Sequence, residues 1–176
     1  KSCDETAAAV IRENEKGTAD IHSNVVSSQV NEHKEFGGVV PELAARAHIE
    51  NIDFIIKKSL KDSKITLEKI DGIAATAGPG LIVCLTVGLN IGKSIAAFSN
   101  KPLIGVNHLE GHALSPGLEN KIEFPYLLLL ISLDGFRCRL VVDIANDMMK
   151  KEKKRVRSVV VVVKLFLSLT FWHKLS

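Results

Sequence analysis

The chain has 176 residues, 46% hydrophobic and 24% charged, which suits one soluble globular domain with a real core and leaves no room for two large ones. Its net charge of +3 is unevenly placed: residues from Lys150 onward carry +7, leaving −4 for everything before them, so the basic balance is no sign that the folded part binds nucleic acid. Cys3, Cys84 and Cys138 are odd in number and widely spaced, which excludes a disulfide framework or a zinc ribbon and points to a reducing compartment.

In chain order, residues 6–12 read as a strand, and residues 21–30, beyond a polar turn, alternate as its hairpin partner. Gly37, Gly38 and Pro41 lead into a helix over 42–60, with proline at the first helical position where its missing N–H costs nothing. Leu43, Ala47, Ile49, Ile52, Ile55, Ile56 and Leu60 recur at helical spacing and mark its apolar face. A cap and turn at 66–69 precede a short buried strand at 72–77, which Gly78-Pro79-Gly80 breaks. A second helix at 81–98 is apolar enough to suggest a membrane span. Asn90, Lys93 and its place between strands favour a buried helix instead, and no membrane association is expected. Residues 102–106 form another strand, 108–114 open a third helix, and 125–132 form a further strand. This alternation predicts an α/β domain with a mixed sheet flanked by helices.

Composition changes abruptly near Asn146. Residues 147–157 are mostly charged, and 158–172 form an apolar run broken by Lys164. The predicted organisation is a lobe over 1–145 and an atypical basic-then-apolar tail over 146–176 that lies outside the fold. A polybasic membrane anchor is the competing reading of that tail, but its apolar part is shorter than the roughly 20 residues a span needs.

Chemistry concentrates at Asn107-His108-Leu109-Glu110-Gly111-His112. Two histidines four apart share one helical face and can hold one metal ion. Glu110 sits about 200° round the helix from His108, so it is badly placed as the general base of a metalloprotease. Two ordinary surface histidines are the plain alternative for this pair taken alone.

The pair stands within a longer pattern. Ser2-Cys3-Asp4-Glu5-Thr6, then Gly37-Gly38-Val39-Val40-Pro41-Glu42-Leu43-Ala44, then Thr76-Ala77-Gly78-Pro79-Gly80-Leu81, then His108-Leu109-Glu110-Gly111-His112 occur in the order found in the TsaD family of tRNA N6-adenosine threonylcarbamoyltransferases, which the chain resembles over residues 2–132. The resemblance implies an actin/Hsp70/sugar-kinase-like lobe with its second lobe missing. It implies an acyltransferase-type enzyme that moves a threonylcarbamoyl group from threonylcarbamoyl-AMP to the N6 amine of an adenosine in tRNAs reading codons that begin with A. His108 and His112 would hold one divalent metal ion, iron or zinc, as a Lewis acid. Asp4 and Glu5 would border the cleft as catalytic carboxylates. Leu130, Ile131 and Ser132 would contact the adenylate. Partners would be tRNA and TsaB- or TsaE-like proteins, or a second copy, in the cytoplasm, with a mitochondrial homologue lacking its transit peptide as the alternative. The family's Ser-Gly-Gly-His-Thr segment is altered here: Ser132 remains, but Leu133 and Asp134 follow it. A non-catalytic lobe acting as an interaction module is the second functional reading.

Overall fold

The computed structural model describes residues 5–16, 18–29, 36, 40–118 and 158–162. The strands are β1 (Glu5–Glu13), β2 (Ala19–Ser28), β3 (Gly72–Gly78), β4 (Leu103–Asn107) and β5 (Ser158–Val162), and the helices are α1 (Pro41–Ser63), α2 (Ile82–Ser99) and α3 (His108–Leu114). The strands form one sheet in the order β2-β1-β5-β3-β4. β1 pairs antiparallel with β2 and β5, while β3 pairs parallel with β4 and β5. The mixed α/β sheet expected from the alternation is therefore present.

The hairpin forms where alternation placed it, with Val10 opposite Ser23 and a bulge before the Ile11–Ile21 pair. Ala7, Ala8 and Val10 are all buried, so β1 is covered on both sides, as its run of small apolar residues requires. β3 is buried continuously from Gly72 to Thr76 for the same reason.

α1 begins at Pro41 and ends where Lys64 turns left-handed at φ 56, a few residues past the predicted end. Ala44, Ala47, His48, Ile52, Ile55 and Ser59 make its buried stripe, while Leu43 and Ile49, assigned to that face from the sequence, are exposed. The face is thus rotated toward smaller and more polar residues, because His48 and Ser59 find partners on the hairpin: Ser59 Oγ lies 2.8 Å from Ser23 Oγ. Val10, Ile52, Ile65, Ile70, Ile73 and Ala96 form the core between the sheet and the two long helices.

α2 approaches β3 closely at Gly92, where an added Cβ would stand 3.0 Å from the Ala75 Cβ. By length and composition this helix could cross a membrane. Yet only Cys84, Gly92 and Ala96 are buried, which corrects the expectation of a buried helix. The described residues cover one flank of it and leave Ile82, Val83 and Phe98 exposed.

A second correction concerns the tail. Ser158–Val162 lies within the segment expected outside the fold, yet it is the central strand, with Val160 opposite both Val10 and Ile73. Its valines are the residue type that a strand flanked on both edges favours. The boundary near residue 145 and the strand expected at 125–132 lie outside the described residues.

Candidate metal and substrate site

β3 and β4 end side by side, with Thr76 opposite Val106 and Gly78 opposite Asn107. At Gly78 the backbone takes φ 141, open in practice only to glycine. Directly after β4, the side chain of Asn107 caps α3 by accepting from the N–H groups of Leu109 (3.0 Å) and Glu110 (3.3 Å). That cap fixes the first turn of α3 and hence the direction in which His108 leaves the sheet.

The two imidazoles converge. His108 Nε2 and His112 Nε2 are 3.2 Å apart, and their rings meet edge to face with centroids 4.7 Å apart. A contact this short requires one nitrogen to donate and the other to accept, so the pair cannot be doubly protonated in this arrangement. Burial holds His112 below the ordinary histidine value of 6.5, which keeps it in the neutral form that binds metals. One ion held at about 2.1 Å from each nitrogen would subtend about 100°, between octahedral and tetrahedral angles, so the pair fits a divalent metal. Among the described residues no third histidine, cysteine or carboxylate joins them.

Beside His108 lies a cavity of about 50 Å³, bordered by Glu5 and Thr6 of β1, His48 of α1, Thr76 of β3 and Cys84 of α2. Two elements of its wall are locked. Gln29 Nε2 donates to Thr6 Oγ1 at 2.9 Å, and Thr6 Oγ1 lies at hydrogen-bond distance, 2.7 Å, from His48 Nδ1. Two polar atoms have no partner among the described residues, Gln29 Oε1 and Thr76 Oγ1.

Of the residues expected from sequence, the structure brings Glu5 and His108 to one cavity and sets His112 against His108. Asp4, Leu130, Ile131 and Ser132 lie outside the described residues. His48, Thr6, Gln29 and Thr76 had no assigned role. His48 carried a legible signal, since it falls in register with Ala44, Ala47, Ile52 and Ile55 on the inward stripe, where a polar side chain must have a partner.

A family model described as tRNA N6-adenosine threonylcarbamoyltransferase matches residues 20–160. The chain belongs to the TsaD family. Relatives carrying that same description include one from Pelagibacter ubique, 65% identical over 131 residues, which span 74% of this chain and 37% of the relative. Another from Chelativorans sp. is 58% identical over 131 residues, again 74% of this chain and 36% of the relative. One from Bartonella bacilliformis is 53% identical over 145 residues, covering 82% of this chain and 40% of the relative. The chain therefore spans about two fifths or less of the length of these TsaD proteins. The mixed sheet flanked by helices agrees with the family's N-terminal actin-like lobe.

Proposed function

We propose that this chain carries the metal- and donor-holding part of a tRNA N6-adenosine threonylcarbamoyltransferase. The carrying observation is the 3.2 Å approach of His108 Nε2 and His112 Nε2, with His108 on the wall of a cavity that Glu5 also borders. In the reaction, the N6 amine of adenosine bonds to the carbamoyl carbon of threonylcarbamoyl-AMP, AMP leaves with the electron pair of the broken bond, and the amine gives up a proton. His108 and His112 would hold the iron or zinc ion, which when bound supplies Lewis-acid polarisation. Glu5, which borders the cavity, would take the amine's proton, with Asp4 assigned beside it from the sequence. The buried Gln29–Thr6–His48 hydrogen bonds hold β1 against α1 beside Glu5. Residues 130–132 are assigned to the adenylate, and the cytoplasm, where tRNA is modified, is the implied compartment.

Two imidazoles make an open and weak metal site, and Leu133 and Asp134 stand where the family has paired glycines. The chain by itself is therefore expected to bind the ion without turning over. Titration with Zn²⁺ should show one ion per chain, and the His108→Ala and His112→Ala variants should each weaken it by at least tenfold. Full-strength binding in both variants would sink the metal assignment. Incubation with threonylcarbamoyl-AMP, the metal and unmodified tRNA, read by nucleoside mass spectrometry, should give no modified adenosine above background. Modification that depends on His108 would show that the described half-site suffices.

A second reading is favoured by α2. Val83 and Phe98 are both exposed and lie about 60° apart round an apolar helix. Such a face suits contact with a TsaB- or TsaE-like protein or with a second copy, so the chain would serve as an interaction module in a tRNA-modifying complex. Light scattering separates the cases: a monomer that stays monomeric with Phe98 exposed and binds no such protein leaves this reading without support.

A further inference from the structure

The cavity beside His108 has a property that the metal pair does not use. Its walls are largely apolar, from Ala7, Ile52, Leu85 and Val87, and its remaining polar groups are engaged except one. Thr6 and His48 are hydrogen-bonded to each other. Thr76 is 6% exposed, and its hydroxyl has no partner among the described residues. A buried hydroxyl left unpaired is costly, so a native cavity that keeps one is built for a polar atom that arrives from outside. The volume, about 50 Å³, holds one or two waters or a side chain of two or three heavy atoms, and nothing as large as leucine. On the opposite side Gly88 leaves the space open, since a Cβ added there would meet no atom within 4 Å.

We infer that this cavity seats the amino-acid side chain of the carbamoyl donor, with Thr76 as the residue that selects a hydroxylated one. The inference rests on the threonylcarbamoyl reading above and adds to it a specificity determinant. A hydroxyethyl side chain presents one methyl and one hydroxyl on the same carbon. The apolar walls take the methyl, and Thr76 Oγ1 pairs with the hydroxyl. Valine has the same shape with a second methyl in place of the hydroxyl and would leave Thr76 unpaired. A site built to hydrogen-bond a substrate hydroxyl rejects the analogue that lacks it, because its own polar group is then stranded.

The test uses the full chain with Zn²⁺ and measures the affinities of N-carbamoyl-L-threonine, N-carbamoyl-L-valine and N-carbamoyl-L-leucine by NMR titration. The wild type should prefer the threonine compound over the valine compound about tenfold and exclude the leucine compound. Thr76→Val should erase the preference while binding both, and Thr76→Ser should keep it. Gly88→Leu, which adds bulk on the cavity wall where a Cβ meets no atom within 4 Å, should abolish binding of the threonine and valine compounds and serves where Thr76→Val does not fold. His108-dependent binding with no threonine preference would overturn the inference and leave the functional reading standing. No His108-dependent binding of any compound would overturn both. A preference that survives Thr76→Val would show that another group reads the hydroxyl.

Discussion

His108 and His112, one turn apart on α3, bring their Nε2 atoms to 3.2 Å with their rings at 83°. Helical spacing makes the two side chains neighbours, but the short contact needs both rotamers to turn inward together. The Asn107 cap and the half-buried position of α3 supply that bias.

This arrangement makes the chain sensitive to mild acid. Burial holds His112 below 6.5 in the folded chain, and unfolding restores the ordinary value. As pH falls through 6.5, the unfolded chain takes up this proton more readily than the folded one, so stability declines until His112 protonates in the fold as well. Above 6.5 both states are neutral there and the contribution is flat. Urea midpoints measured from pH 8 to pH 5 should fall on the acid side, and His112→Gln should shallow that fall. Zn²⁺ affinity should decline over the same range, because protons compete for the same nitrogens.

Thr6 links the hairpin to α1. Thr6→Val would remove the hydroxyl shared by Gln29 Nε2 and His48 Nδ1, which then face each other at 3.4 Å, and should cost about 1–3 kcal/mol in chemical denaturation. Replacement by serine, which keeps the hydroxyl, should recover most of that loss. Equal losses for valine and serine would mean that the methyl, not the hydroxyl, matters.

Gly88 and Gly92 make a matched pair on α2. A Cβ at Gly92 would press on Ala75 at 3.0 Å and on Leu103 at 3.4 Å, and Ala75 is a fixed part of β3. Gly92→Ala should therefore destabilise by about 1 kcal/mol despite the better helix former. Gly88→Ala meets open space and should stabilise by about 0.5–1 kcal/mol. Thermal melts of the two variants should move in opposite directions.

Val160→Pro probes the central strand. Proline removes a ladder donor in a strand paired on both edges, so the loss should be on the order of 3 kcal/mol with slower-exchanging amides lost in β1 and β3 together. A variant that melts like the wild type would place residues 158–162 outside the working sheet.

Much of this architecture was legible in the residues. The hairpin and both long helices follow from periodicity, and their ends moved by only a few residues because Pro41 and the left-handed Lys64 set them. The convergence of His108 and His112 was legible because four-residue spacing on a helix is a local property. β5 was not legible: a valine run behind a basic stretch has the composition of a tail, and its pairing partners lie far away in the chain. Burial of α2 was overestimated because apolar content does not say which face a neighbour covers. The cavity was invisible for a similar reason, since an unpaired hydroxyl on Thr76 exists only once β1, α1 and α2 have closed around it.

The position of β5 has a kinetic consequence. Among the described residues, β1–β2 and β3–β4 share no sheet hydrogen bonds, and β5 bridges the two pairs. Glu5 and Thr6 stand on one pair, Thr76 on the other, and His108 just beyond it. Closing Ala9 against Val161 joins residues far apart in sequence, a loop whose entropy must be met before the contact rewards it. Each two-stranded unit can form early from local contacts, whereas joining them waits on β5. The cavity is thus a late product of folding, assembled when β5 slides between two halves that are already made.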